Sequence, residues 1–224
     1  MKTIYYFLFL SIFALLSCSN NNTKGEIAAD EIHEKTIENK YVKITYNSVV
    51  FKKDDVPISI INDTVDNFIK LEIKEFRESI DKDIKELIDS GETSGKYELN
   101  IITEHYITTY GFISVIIEMN HYTLGAHGNS TFKSINYDVI NKKFINLTEL
   151  GHFEKKEELE RFNSLLEKYF IDKDSCFSDK PKIDKDFNTF TIQEDSISVY
   201  FAPYELGAYA CGTAEILIPI SELP

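Results

Sequence analysis

The sequence lacks most of the features that announce a catalyst. Its 224 residues hold no His-x-x-x-His helix, no Cys-x-x-Cys pair, no Gly-x-Ser-x-Gly elbow and no glycine-rich phosphate loop. Basic residues are scarce: 24 Lys and Arg stand against 37 Asp and Glu, a formal net charge of −13. Such a surface repels nucleic acid and anionic lipid, and it leaves room for a basic partner. Only three cysteines occur. No solenoid period is visible, and the regular strand–helix alternation of a doubly wound sheet is missing.

The N-terminus is apolar. Lys2 precedes "IYYFLFLSIFALL", and "LLSC" closes the run at Cys18. The stretch is too short and wrongly flanked for a spanning helix, so residues 1–17 read as an export signal. Ser17 directly before Cys18 resembles the lipobox of bacterial lipoproteins, which implies a lipid on Cys18 and a position outside the cytoplasm, periplasmic or surface-exposed. Each buried CH₂ of that lipid contributes about 0.8 kcal/mol of anchoring. Residues 18–36 are polar and read as a tether. With Cys18 assigned to lipid, Cys176 and Cys211 remain in a compartment where disulfides persist. A bridge between them would close a loop of about 35 residues and stabilise by roughly 3 kcal/mol.

The rest reads as strands and helices. "KYVKITYNSVVF" alternates like a strand. From Asn62 to Ser90, apolar residues recur at helical spacing, with Asn62 or Asp63 as cap and Gly91 as stop. "KYELNIITEHYITTY" and "FISVIIEMNHYTL" read as long strands turning near Gly111. "STFKSINYDVINKKFINL" reads as a hairpin. Leu159, Phe162, Leu165, Leu166 and Tyr169 share one face of a second helix. A hairpin turning at Glu194 and Asp195 and a last strand, "TAEILIPISEL", complete the chain. This is an α+β arrangement, mostly antiparallel, with one long and one shorter helix.

Three stretches together resemble a known family. They are "IIN" at the long helix, "YTLGAHGNSTFKSINYDVINKKFINLTEL" and "VYFAPYELGAYACGTAEILIPISEL". They are similar to a paired extracellular domain of unknown function. It occurs in the lysozyme-sensing anti-sigma factor RsiV and ahead of the catalytic domain of the peptidoglycan deacetylase PdaC. The resemblance implies two abutting α+β modules, 37–124 and 125–224, and a binding or sensing role at the cell envelope. Lysozyme or a related lytic protein is the first candidate ligand, and peptidoglycan the second. The chain shows neither a cytoplasmic anti-sigma segment nor a deacetylase domain, so the expectation is the shared module alone, on a lipid tether.

Residue chemistry points the same way. His105, His121 and His127 lie on or near neighbouring strands, but without the carboxylates or thiols that usually complete a metal site. No motif marks a carboxylate pair for glycan hydrolysis, and Ser130 near His127 has no third partner. No cofactor and no catalytic residue are expected. "HYTLGAHGNS" and "PYELGAYACG" echo one another, each ending a strand in a Tyr-x-Leu-Gly-Ala turn. The glycines Gly125 and Gly207 read as turn formers. Tyr122, His127, Tyr204 and Tyr209 are the candidate ligand contacts, because rings on a rigid scaffold can stack on sugars or anchor in a protein cleft.

Overall fold

Alternating side chains of the central strands build one large sheet, and a second, smaller sheet docks on its face. The computed structural model describes residues 25–223 save His152, Glu154, Lys173 and Asp174. The signal 1–17, Cys18 and the tether as far as Lys24 lie outside the described residues. In chain order the elements are β1 (Ile27–Glu38), β2 (Val42–Lys53), β3 (Val56–Pro57), α1 (Ser59–Glu78) and α2 (Lys82–Ser90). There follow β4 (Tyr97–Ile107), β5 (Phe112–Tyr122), β6 (Asn129–Asp138), β7 (Lys143–Phe144), α3 (Leu147–Gly151) and α4 (Lys156–Tyr169). Last come β8 (Phe190–Ile192), β9 (Ser196–Phe201) and β10 (Ala214–Pro219). The first sheet runs β1-β2-β4-β5-β6-β7 with β3 paired to β2, and the second runs β10-β9-β8. All pairings are antiparallel except β2 with β4, which the α1–α2 crossover joins in parallel. The fold is α+β with mostly antiparallel sheet.

Odd-numbered residues of β4 and β5 point to one face. Leu99, Ile101, Val115 and Ile117 bury there against Val65, Ile69 and Phe76 of α1. A separate core forms where Phe162 and Leu166 of α4 cover Ile197, Val199, Ile216 and Ile218. Among the described residues no helix is long and apolar enough to cross a membrane.

Three expectations are corrected. The tether through residue 36 ends by Ile27, because residues 27–38 are β1, paired along β2 with one register shift between Ile32 and Lys35. Backbone pairing makes this strand; only Ile27, Ala29 and Ile37 pack on the core. Its charged outer positions suit an edge. The single long helix is two. α1 ends at Glu78, buried Ile80 turns the chain inward, and Asp81 caps α2 by accepting the Ile84 amide at 2.8 Å. Asn62 does not cap; it accepts from the Phe51 amide and donates to the Phe51 carbonyl, pinning α1 to β2. Gly91 does end the helix, at φ 80°. Finally, the module boundary at 124/125 falls inside the first sheet, between paired β5 and β6. The two cores part between Val139 and Ile145.

The smaller sheet is held by side chains. β8 is its edge strand, and it lies on the even-numbered face of β5 and β6. Ser114 Oγ accepts from the Ile192 amide at 2.8 Å, and Ser134 Oγ accepts from the Phe190 amide at 3.1 Å. Asn136 Nδ2 donates to the Phe190 carbonyl at 3.0 Å, while its Oδ1 accepts from Ser114 Oγ at 2.6 Å. All three side chains are buried.

Asn136→Ala would strand the Phe190 carbonyl and the Ser114 hydroxyl, so urea unfolding should show a loss of about 2–3 kcal/mol. A loss under about 0.5 kcal/mol would show that the seam contributes little. Cys176 and Cys211 are bridged, with their Cα atoms 5.6 Å apart. Replacing both by Ser should lower stability by about 3–4 kcal/mol, and reductant should do the same to the wild type. His121 lies half-buried beside Phe76, ring centroids 5.8 Å apart, and burial lowers its pKa. The unfolded chain therefore takes up a proton that the folded chain refuses. This stability is complete above about pH 6.5 and is lost as pH falls. His121→Gln should flatten that part of the melting-temperature profile between about pH 7 and pH 5.

Candidate functional site

The two echoing turns meet. His127, from the β5–β6 turn, stacks on Tyr209, from the turn after β9, with ring centroids 3.9 Å apart and planes inclined by 20°. These residues occupy equivalent places in the echo, each directly after Gly-Ala. Tyr204 completes the group: its hydroxyl lies 3.2 Å from His127 Nε2, and its ring centroid is 5.7 Å from that of Tyr209. His127 Nδ1 lies 2.7 Å from the Gly128 carbonyl, which can only accept. Nδ1 therefore carries a proton, and in the neutral ring Nε2 accepts from Tyr204.

Local backbone chemistry sets both turns. A Cβ on Gly128 would stand 2.8 Å from the His121 carbonyl, so only glycine lets the turn close over the end of β5. A Cβ on Gly207 would come 3.1 Å from Phe177 Cα, where the two segments form a β-bridge. Gly125 meets no such crowding, and its sole near neighbour is 3.9 Å away. Tyr204 has φ 74° and Leu124 has φ 62°. For a ring-bearing residue that conformation is strained, and strain of this kind concentrates at binding sites. Pro203 and Leu206, both buried, and the Ala202–Glu205 turn hold Tyr204 in place. The disulfide fixes the other end, two residues beyond Tyr209, to a segment that the Asp172 carboxylate organises through the Cys176 and Phe177 amides.

Beside this cluster an open cleft of about 270 Å³ lies on the even face of the first sheet. Thr45, Asn100, Asn120 and Ser130 form one row across β2, β4, β5 and β6. Thr45 Oγ donates to Asn100 Oδ1 at 2.7 Å, and Ser130 Oγ donates to Asn120 Oδ1. Tyr122 and Tyr209 flank the row, with Lys43 and Glu98 at its end. Of the four candidate rings, Tyr122 and Tyr209 line the opening, while His127 and Tyr204 pack against Tyr209 beside it. The floor was not singled out from the sequence. Part of its signal was there: Glu98, Asn100 and Asn120 are polar positions directly beside the buried Leu99, Ile101 and Met119.

His105 and His121 do not join the ring cluster. His105 meets the Phe51 ring edge-on at 5.7 Å, and His121 faces Phe76. Among the described residues no three His, Cys, Asp or Glu side chains are grouped to hold a metal ion.

Comparison with known proteins gives a family match and two informative relatives. Residues 132–221 match the model of "Protein of unknown function (DUF3298)". The chain is 26% identical over 209 residues to the peptidoglycan-N-acetylmuramic acid deacetylase PdaC of Bacillus subtilis. That alignment takes in 90% of this chain but 42% of the relative, so the chain spans less than half of that protein's length. A crystal structure of a DUF3298 family member from Bacteroides fragilis superposes with a TM-score of 0.62 at 17% identity. It covers 88% of this chain and 92% of that one, a likeness of fold. What this chain shares with proteins of known sequence and structure is a DUF3298-type region, on an α+β fold already seen in a solved member of that family.

Proposed function

We propose that this chain is a non-catalytic binding module of the bacterial cell envelope, carried on a lipid at Cys18. Its ligand rests in the cleft beside the His127–Tyr209 stack. A polar cleft lined by Tyr122 and by Tyr209, whose ring is held in place by His127 and Tyr204 from two distant turns, carries this reading. Rings offer flat apolar faces, and the amides and hydroxyls of Asn100, Asn120, Thr45 and Ser130 offer short, directional hydrogen bonds. That combination suits a sugar, and the glycan of peptidoglycan is the ligand that fits best. The similarity to a protein whose substrate is peptidoglycan supports the choice. A second reading, a basic lytic protein such as lysozyme, draws on the net charge of −13, which would steer a cationic partner.

Calorimetric titration of the mature chain against soluble muropeptides and against lysozyme, at low and high salt, separates the two. Heat with muropeptides that does not fade as salt rises supports the glycan. Heat with lysozyme alone, fading as salt rises, moves the assignment to the protein partner. Tyr209→Ala should weaken binding roughly tenfold or more, about 1–2 kcal/mol. Silence with both ligands, or turnover of a glycan by the chain, would sink the reading.

A further inference from the structure

A second opening, of about 190 Å³, lies further along the same face. Its floor is Ile102 and Glu104 of β4, Ile116 and Glu118 of β5 and Phe132 of β6. These are the next even positions after Asn100, Asn120 and Ser130, so the two floors are consecutive rows of one surface. Their walls are continuous as well. Tyr209 stands over the first row, and Thr213, Ala214 and Glu215 stand over the second, on a single stretch of seven residues. Tyr200 closes the far end, its ring 5.8 Å from that of Phe132. From the Glu98–Tyr122 row to the Glu104–Ile116 row the floor advances six residues, about 20 Å of strand. One sugar ring would leave most of that length empty.

The chemistry of the groove narrows what can fill it. β5 is paired along its length on both sides, and β4 on both sides as far as Ile101, so along β5 the backbone has no free ladder to offer an extended peptide. Recognition falls to side chains: amides, hydroxyls and aromatic faces near both ends. Charge along the groove is one-sided. Glu98, Glu104, Glu118 and Glu215 line it against Lys43 alone. A carboxylate-rich ligand would meet like charge, whereas an ammonium would meet counter-charges within an otherwise hydrogen-bonding trough.

Resting on the glycan reading above, we propose that the two openings form one groove. It holds a linear chain of several amino sugars along β5, preferring sugars with a free ammonium to those bearing carboxylates. The test is a calorimetric series on the mature chain with N-acetylglucosamine oligomers from monomer to hexamer, and with the de-N-acetylated hexamer. Affinity should climb about tenfold between dimer and tetramer and then level off. The de-N-acetylated hexamer should bind more tightly than the acetylated one, with the difference shrinking as salt rises.

Glu118→Gln keeps the shape of the second row and removes its charge. It should abolish most of the preference for the de-N-acetylated hexamer while leaving the acetylated dimer unchanged. Phe132→Ala, with its fold checked by circular dichroism, should cost affinity for the hexamer and not for the dimer. A dimer that binds as tightly as the hexamer, or a Glu118→Gln variant with unaltered preference, overturns the groove. If no oligomer binds while lysozyme does, it is the glycan reading itself that fails, and the groove proposal with it.

Discussion

Ser114, Ser134 and Asn136 do for β8 what a neighbouring strand would have done. An edge strand presents amides and carbonyls that need partners, and three short polar side chains on the face of another sheet supply them. The smaller sheet is thereby fixed across the larger one, crosswise to ordinary strand addition. Everything that makes the candidate site follows from that docking. The turn after β9 is carried over the even face of β4 and β5, and the stretch from Tyr209 to Glu215 becomes a wall above a floor from the other sheet.

Within the cleft, rigidity is concentrated in the turns. Tyr204 sits at a positive φ that costs of order 1 kcal/mol or more, and its ring is held by the hydrogen bond to His127. Tyr209 is held from beneath by the His127 ring and from behind by the disulfide. A ring already ordered in the free protein loses little side-chain freedom when a ligand arrives. Here the constraint on each turn is supplied mainly by the other turn or by a distant loop, which couples their positions.

Much of the fold was legible because apolar periodicity reports burial. The strand pair turning at Gly111, the face of α4 and the stop at Gly91 all follow from it. β1 was illegible for the same reason: it is made by backbone pairing, and its side chains are mostly charged and exposed. The break at Ser79 left no mark, since Ile80, Ile84 and Ile88 continue the helical period across it. The glycine-rich turn at 125–128 reads as a junction, but it is a hairpin end within one sheet, and only pairing partners distinguish the two. For the site, the four rings stand out in the two echoing motifs. The floor does not, because Thr45, Asn100, Asn120 and Ser130 come from four separate strands and only strand pairing sets them in one row.

β1 also bears on the reach of the proposed lipid anchor. A lipid on Cys18 would leave nine residues, Cys18 to Glu26, before the strand begins at Ile27, a maximum reach of about 30 Å. A tether running to residue 36 would have allowed about twice that. With the proposed anchor, the body would be a short-range fixture, limited to ligand that lies close above the bilayer.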